Sequence, residues 1–473
     1  MVSVARRVVE ENGFQSQFPA GLEATIPERA PDEGARDLRN LAWSSIDNEE
    51  SRDLDQIEVA EKLPNGDIRV LVGIADVDAL VPKGSPIDAF AAANTTSLYT
   101  GVHTFPMLPL VLSTDRTSLL EDGRDRLAVI TEIVVRTDGS LDDGKTAIYI
   151  ALVSNKARLV YERVGAWLDG TGEAPHGGQA IADQLKLQDE VAQKLRLLRH
   201  QHGALDFETI EARPVVENGK IVRLEVPAKN RARELIEDLM IAANGATARF
   251  LEARKLSSMR RIVTKPKRWD RIIALAASFG ITLPVEASAK ALSDFLAKRR
   301  AADPTHFADL SLAVVKLMGP GQYVLQRAAD PDQGHFGLAV DDYAHSTAPN
   351  RRFPDLVTQR LLKTCARGNA PAYSDSELET IALHCTEREN AARKVERTMR
   401  KIAAAEMLSS HIGETFDGIV TGVNDKGVFA RLLRPPAEGR IVRNERGLDV
   451  GDAVHVKLVD TVPARGFIDF VRV

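Results

Sequence analysis

The densest group of chemically active side chains in this sequence is a short acidic stretch, Ser-Ile-Asp-Asn-Glu-Glu-Ser-Arg-Asp-Leu-Asp-Gln, over residues 45–56. Asp53 and Asp55 are two residues apart, so on an extended strand both carboxylates would leave the same face, and Asp47 can rejoin them through a polar turn. Three carboxylates in a small volume repel one another unless a cation lies between them. The pattern therefore indicates a divalent-metal site.

The ligand types of this stretch favour a hard cation. Carboxylate oxygens with no Cys or His nearby favour Mg²⁺, with Mn²⁺ as a substitute, over Zn²⁺. The alternative is a solvated turn, because acidic loops that contain Asn and Ser are usually exposed to water. Spacing alone does not decide between the two interpretations.

Hydrophobic patterning predicts the elements that would position these acids. Residues 68–77 are rich in β-branched side chains and predict a strand, and the turn over residues 63–67 contains the Asn-Gly dipeptide that a hairpin favours. This hairpin would place the strand beside the acidic stretch. Helices are predicted over 4–11, 85–94, 185–200 and 230–254, and further strands over 127–135 and 146–152.

Composition limits the class of protein. A chain of 473 residues is long enough for two or three domains with a large core. Its two cysteines, Cys365 and Cys385, have no CxxC spacing, which excludes a disulfide framework and a structural zinc site. No apolar run is long enough to cross a bilayer and no signal peptide is recognisable, so we expect a cytoplasmic protein without membrane contact.

The net charge of −5 does not indicate a whole basic face, so any binding of nucleic acid must depend on local clusters of Lys and Arg. Two clusters are candidates: Arg260, Arg261, Lys265, Lys267, Arg268 and Arg271 in the first, and Arg393, Lys394, Arg397, Arg400 and Lys401 in the second. The second has a helical spacing that suits a stripe along a phosphate backbone. The alternative is that these side chains simply cover the surface.

A polar loop at residues 348–356, Ala-Pro-Asn-Arg-Arg-Phe-Pro-Asp-Leu, leads into an apolar helix. Together with the acidic stretch, it makes the chain resemble the RNB-domain exoribonucleases, the RNase II and RNase R family, whose loop typically reads SPIRRYxDL. Residues 45–56 resemble the family's TIDxxxxxDxDD and residues 73–77 its HIADV, and residues 96–99 and 106–109 resemble its TSxY and PMLP. The matches keep their order along the chain.

The resemblance implies a magnesium-dependent 3′→5′ exoribonuclease that hydrolyses single-stranded RNA to nucleoside 5′-monophosphates by a two-metal mechanism. It implies that Asp47, Asp53 and Asp55 are metal ligands and that Asp55 and Arg351 are catalytic, with Arg351 on the scissile phosphate. Tyr99 would stack near the 3′-terminal nucleotide. Arg352 and Glu396 are further expected substrate-binding residues, and we expect a monomer.

Gln56 departs from the family pattern because it stands where the family usually has a fourth aspartate. A side-chain amide oxygen can still bind magnesium, but it adds no charge, so the affinity for one ion should weaken. An alternative is therefore a catalytically impaired RNB fold that survives as an RNA-binding or scaffold protein. The retention of Asp47, Asp53, Asp55 and Arg351 together favours the enzyme.

The resemblance also implies an α+β fold with an all-β C-terminal barrel. We expect an N-terminal extension over 1–35, an RNB catalytic domain with a mixed sheet surrounded by helices over 36–365, a helical segment over 366–411 that completes it, and an S1-type OB-fold RNA-binding barrel over 412–473. The family's N-terminal cold-shock barrels are expected to be absent.

The expected strands of the barrel are 416–423, 428–433, 454–459 and 467–471. Phe416, Phe429 and Arg431 fall at positions where such barrels stack bases and hold phosphates. As aromatic residues of β-strands, the two phenylalanines could equally belong to the core.

Overall fold

The computed structural model describes residues 1–28, 34–208, 212–217, 220–226, 229–304, 306–331 and 333–473. Its helices are α1 Val2–Glu11, α2 Pro86–Asn94, α3 Tyr161–Leu168, α4 Gly178–His202, α5 Arg231–Glu252, α6 Trp269–Ser278, α7 Ala289–Ala302, α8 Phe307–Met318, α9 Phe353–Ala366 and α10 Asp375–Leu408. The predicted helices over 4–11, 85–94, 185–200 and 230–254 are confirmed as α1, α2, part of α4 and α5.

The first nine strands are β1 Arg36–Asp37, β2 Ser44–Asp47, β3 Gln56–Lys62, β4 Ile68–Ala75, β5 Leu98–Tyr99, β6 Thr104–Phe105, β7 Arg126–Val135, β8 Ala147–Val153 and β9 Ala157–Val160. The remaining strands are β10 Arg213–Glu217, β11 Lys220–Glu225, β12 Ser258–Ile262, β13 Gln322–Gln326, β14 Thr415–Asn424, β15 Gly427–Leu432, β16 Glu438–Arg443, β17 Ala453–Val462 and β18 Phe467–Arg472. The hairpin predicted around the Asn-Gly turn is confirmed as β3 and β4, whose strands pair antiparallel.

A mixed sheet forms the centre of the described structure, with seven strands in the order β1-β8-β7-β4-β3-β2-β9. The edge pairs β1/β8 and β2/β9 are parallel and the inner pairs are antiparallel. Alternate residues of β4 enter different cores: Val70 and Val72 pack towards α4 and α5, whereas Leu71 packs towards α2 and α9. Helices therefore cover both faces of the sheet, as the α+β prediction requires.

The C-terminal strands close into a barrel in the order β14-β15-β16-β18-β17. The four strands expected from the sequence are confirmed, and β16 is an additional strand that hydrophobic alternation did not indicate. Its Gly439 lies so close to Phe470 and Ile468 that a Cβ atom would contact them at 2.5–2.9 Å. A glycine that the packing requires has weakened the alternating pattern.

The long helix α10 joins the barrel to the rest of the chain. It starts with a capping box in which Ser374 and Glu377 satisfy each other's backbone N–H groups. Ala404, Ala405 and Leu408 at its end pack into the barrel core, and its middle packs against α1. No helix within the described ranges is long and apolar enough to span a membrane.

The first basic cluster does not form a continuous surface patch. Arg260 and Arg261 lie in β12 and are buried, with side chains paired to Glu252 at 3.1 Å and Glu389 at 2.7 Å. Buried guanidinium groups need such partners, because an unpaired buried charge is costly. These two arginines therefore hold α5 and α10 against β12.

A buried ion network fixes α9 to the end of β4. Lys363 Nζ lies 2.7 Å from Asp76 and 2.8 Å from Asp78, and Arg360 pairs with Asp78 at 2.9 Å and Asp88 at 2.8 Å. Burial raises the pKa of Asp76, while Lys363 acts against that rise. The network holds the helix that follows the Arg351 loop.

We predict that Lys363→Met lowers the free energy of unfolding by roughly 3–5 kcal/mol, because it leaves the buried carboxylate of Asp76 without its cation. Lys290→Met is the matched control, since Lys290 forms an exposed pair with Asp294 on α7, and it should change stability by less than about 1 kcal/mol. Urea denaturation of both variants gives the comparison. Equal losses would contradict the structural role of the network.

Candidate active site

The acidic stretch forms a loop between β2 and β3. Asp47 ends β2 and Gln56 begins β3, so Asp53 and Asp55 precede the strand, and the prediction that they lie on it is wrong. Local hydrogen bonds explain the difference: one Asp47 oxygen accepts from the Asn48 N–H at 2.7 Å and from the Ser51 hydroxyl at 2.8 Å. Such side-chain contacts compete with regular strand pairing.

The loop is fixed by a neighbouring turn. The Leu54 N–H donates to Ser118 Oγ at 2.9 Å, and the Ser118 hydroxyl donates to the Arg52 carbonyl at 2.6 Å. The Leu54 carbonyl accepts from the Leu119 N–H at 3.0 Å, and the Leu54 side chain is buried in the core. The carboxylates on either side of Leu54 are therefore held on an ordered backbone. No pattern in the sequence indicated Ser118.

Asp55 is the most buried acid of the stretch, at 1% exposure. One oxygen accepts from the Asn350 N–H at 3.0 Å and the other from Arg351 Nε at 3.2 Å. Burial raises the pKa of Asp55 to about 7, although Arg351 and the Asn350 N–H act against the rise. The structure thus joins the two residues expected to be catalytic in one charge-assisted contact.

Tyr99 lies on the open side of the same group. Its hydroxyl donates to Asp53 at 3.3 Å, and its side chain is 44% exposed. Burial raises the pKa of Asp53, and the charge of Asp47 raises it further. An exposed ring tied to a carboxylate by its hydroxyl can present its face to a planar ligand.

Backbone contacts hold the Tyr99 segment against the arginine loop. The Ser97 N–H donates to the Arg351 carbonyl at 3.0 Å, and the Phe353 N–H donates to the Thr95 carbonyl at 2.8 Å. The acidic loop, the turn at Ser118, the Tyr99 segment and the arginine loop, which are distant in sequence, therefore meet at one place.

Asp355 holds the arginine loop in place through hydrogen bonds. It is fully buried, and one of its oxygens accepts from the backbone N–H groups of Thr347 at 2.8 Å and Ala348 at 2.9 Å and from Arg352 at 2.7 Å. Asp355 belongs to the Arg-Arg-Phe-Pro-Asp-Leu motif, but no role was predicted for it from the sequence. Because a single carboxylate fixes both the backbone and Arg352, it also fixes the neighbouring Arg351.

Of the other expected binding residues, Arg352 adjoins this group through Asp355, whereas Glu396 lies on α10 and the remaining three lie in the barrel. Arg352 is mostly buried on Asp355, and Glu396 is half-buried on α10. In the barrel, Phe429 and Arg431 alternate with the buried residues of β15 and face outward, whereas Phe416 packs against the barrel core. Arg431 already forms a 2.7 Å ion pair with Asp309 on α8.

Asp47 acts electrostatically on two other acids, Asp53 and Glu58. In the side-chain positions described, no three carboxylate, histidine or cysteine groups converge closely enough to hold an ion, so ion binding would need side-chain rotations. Glu58, two residues after Gln56, is fully buried, and neither of its carboxylate oxygens has a hydrogen-bond partner among the described residues. Burial raises the pKa of Glu58 to about 8, and the charge of Asp47 adds to the rise. Mutually repelling, hard oxygen donors with orphaned atoms fit a divalent cation such as Mg²⁺.

A cavity of about 250 Å³ opens beside the arginine loop. Its walls come from α5, the loop and the segment before it, and are lined by Glu237, Met240, Ile241, Asn244, Leu338, Tyr343, Thr347, Arg351 and Arg352. The cavity joins cationic, amide and aromatic groups in one space. This combination suits a ligand with a phosphate and a planar ring.

Comparison with known proteins agrees with this architecture. The RNB domain matches residues 35–368, and the RNase II-type exonuclease C-terminal S1 domain matches residues 414–473. Ribonuclease R of Thermotoga maritima is 30% identical over an alignment of 477 positions, which covers 93% of this chain and 65% of that protein. Ribonuclease R of Escherichia coli K12 is 32% identical over 431 residues, which cover 88% of this chain and 52% of that protein.

The chain thus spans about half to two thirds of the length of these relatives. Among solved structures, the apo form of Mycoplasma genitalium RNase R superposes with a TM-score of 0.89 at 23% identity, covering 99% of this chain and 77% of that chain. This likeness shows a shared fold. Because the RNB domain matches well over half of the residues, the chain belongs to the RNB-domain family, with an RNase II-type S1 barrel at its C-terminal end.

Proposed function

We propose that this protein is a magnesium-dependent 3′→5′ exoribonuclease that hydrolyses single-stranded RNA to nucleoside 5′-monophosphates. The observation that carries the proposal is the contact of Arg351 with buried Asp55 beside the Asp53–Tyr99 pair. Membership of the RNB-domain family supports it. The polarity of degradation rests on the resemblance to that family, and Mn²⁺ is the expected substitute ion.

Asp47, Asp53, Asp55 and Gln56 would hold the ions. When bound, divalent cations supply a nucleophilic hydroxide and neutralise charge on the phosphate, and a two-ion arrangement does so on both sides of the scissile bond. The acids have the hard oxygen donors that this chemistry needs. The mutual repulsion of the acids and the burial of Asp55 favour the binding of a cation.

Arg351 would bind the phosphate that is cleaved. Its Nε is engaged by Asp55, but its side chain is 44% exposed, so the rest of the guanidinium can donate to a phosphate oxygen. Asp55 thereby keeps the guanidinium oriented before substrate arrives. The pre-set orientation lowers the entropy that must be lost in reaching the transition state.

Tyr99 would position the RNA by stacking. Its ring is exposed while its hydroxyl is anchored on Asp53, so a base can lie against the ring without ordering a free side chain. The cavity beside Arg351 and Arg352 has room for a terminal nucleotide. Outward-facing Phe429 on the barrel is a second candidate for stacking.

An inactive RNA-binding protein is the rival function, because Gln56 is neutral where the family usually has an acid. The two proposals differ in one measurable property. Both predict binding of single-stranded RNA, and only the enzyme shortens it.

We predict that Asp55→Asn lowers the rate of RNA degradation by at least about 100-fold, because it weakens both the ion site and the orientation of Arg351. The assay follows the length of 5′-labelled single-stranded RNA with Mg²⁺, and fluorescence anisotropy measures binding in parallel. Asp294→Asn, an exposed change on α7, is the matched control and should act like the natural protein.

Chelation with EDTA should stop degradation, and added Mg²⁺ or Mn²⁺ should restore it. Full turnover by Asp55→Asn would refute the assigned site. RNA that binds the natural protein but stays intact with either ion would establish the rival function instead.

A second prediction separates the ring of Tyr99 from its hydroxyl. Tyr99→Ala should weaken binding of single-stranded RNA by roughly 1–3 kcal/mol, the usual contribution of one base stacked on an aromatic ring. Tyr99→Phe keeps the ring and should retain most of the affinity. If both substitutions weaken binding equally, the hydroxyl contact with Asp53 matters and stacking does not.

A further inference from the structure

We propose that Glu58 supplies, in this chain, the negative charge that Gln56 does not bring to the ion site. This inference rests on the proposed metal-dependent function and identifies a ligand outside the motif that defines the site. The acid would thus have moved by two residues along β3, from position 56 to position 58.

The strand geometry makes this exchange possible. Side chains two residues apart on a strand leave the same face, so Gln56 and Glu58 lie on one side of β3. In the register of the sheet, Gln56 is opposite Ile74 and Glu58 is opposite Val72 of β4. Ile74 and Val72 belong to the core between the sheet and helices α4 and α5, so Gln56 and Glu58 lie on that face of the sheet.

In the part of the chain that the structure describes, Glu58 has none of the partners that usually keep a buried carboxylate stable. It is 0% exposed, and both its oxygens lack hydrogen bonds within the described ranges. Removing a carboxylate from water costs several kcal/mol unless a cation or donors compensate. A purely structural role would favour an uncharged residue here, because no described side chain satisfies the carboxylate oxygens.

The surrounding orphaned atoms are oxygens as well. Ser44 lies opposite Glu58 on β2, and its buried hydroxyl oxygen has no partner among the described residues. Gln188 donates its amide to the Glu58 carbonyl at 3.3 Å, which leaves its own side-chain oxygen buried and unpartnered there. Oxygen donors of this kind suit a hard divalent cation or its bound water.

Electrostatic interactions connect Glu58 with Asp47. Asp47 acts electrostatically on Glu58, and both acids act on Tyr161, the first residue of α3. Arg233 and Arg351 also act electrostatically on Tyr161, but Arg351 is engaged by Asp55. The guanidinium of Arg233 is engaged by Asn48 at 3.0 Å, by Glu162 at 2.7 Å and by the Tyr161 ring. A metal ion between Asp47 and Glu58 would provide the charge that Arg233 does not.

Binding of Mn²⁺ to the full chain tests the proposal without depending on turnover. Electron paramagnetic resonance counts free Mn²⁺ during a titration of the natural protein and of Glu58→Gln, Gln56→Asp and the double variant. We expect Glu58→Gln to weaken binding about tenfold or more and Gln56→Asp to restore it in the double variant. Glu61→Gln, an exposed change on the same strand, is the matched control and should bind as the natural protein does.

Asp47→Asn shows whether the ion measured is the one proposed. If Asp47→Asn binds Mn²⁺ like the natural protein, or if the natural protein binds none, the ion site of the proposed function fails and this inference falls with it. If Asp47→Asn loses binding but Glu58→Gln binds within twofold of the natural protein, only the role of Glu58 is refuted.

Circular dichroism and thermal melting establish whether each variant is folded. If Glu58→Gln does not fold, Gln56→Asp in the natural background decides the question. We expect Gln56→Asp to increase the affinity for Mn²⁺ by less than threefold, because Glu58 already supplies the charge. A tenfold increase in Mn²⁺ affinity would overturn the proposal, since it would show that the charge was missing.

Discussion

The contact between Asp55 and the arginine loop is the interaction on which the site depends. It joins residues 296 positions apart in sequence and brings the acidic loop, the Tyr99 segment and the start of α9 to one point. Burial of Asp55 is unfavourable by itself, so the guanidinium of Arg351 and the Asn350 N–H are required partners. The carboxylate of Asp55, which is costly to bury, thereby orients the partly exposed guanidinium of Arg351.

Two further carboxylates make that contact possible. Asp355 fixes the loop backbone and Arg352, so that Arg351 is presented at a defined angle. Asp76 and its pair with Lys363 fix α9, which follows the loop, to the sheet. These acids have cationic partners within the fold, whereas Glu58 has none among the described residues. A buried carboxylate without such partners lowers stability, and this cost is what the proposed ion at Glu58 would offset.

Much of the fold could be predicted because it depends on local patterns. The Asn-Gly turn predicts the hairpin of β3 and β4, and apolar periodicity predicts α5. The loop form of residues 51–55 could not be predicted, since it depends on Ser118, which is distant in sequence and carries no motif. Arg260 and Arg261 look like surface residues until the acids that neutralise them are located in space.

Only those residues of the site that belong to recognisable motifs could be predicted. Motif order indicated Asp55 and Arg351 as one unit, and the structure places them in contact. It could not indicate Glu58, because a glutamate in a strand of apolar residues has no distinguishing pattern until its burial and missing partners are known. Orphaned polar atoms are a property of packing, so they appear only in three dimensions.

The position of the S1-type barrel limits how it can contribute to RNA binding. Arg431 faces outward from β15, but its guanidinium is already neutralised by Asp309 of α8. A phosphate at this position would have to displace that carboxylate, so the pair acts first as a tie between the barrel and the catalytic domain. Phe429 also faces outward from β15, opposite Arg440 of β16, and would bind RNA through its ring. If Phe429 binds RNA as proposed, stacking on its ring would leave the ion pair between the barrel and α8 intact.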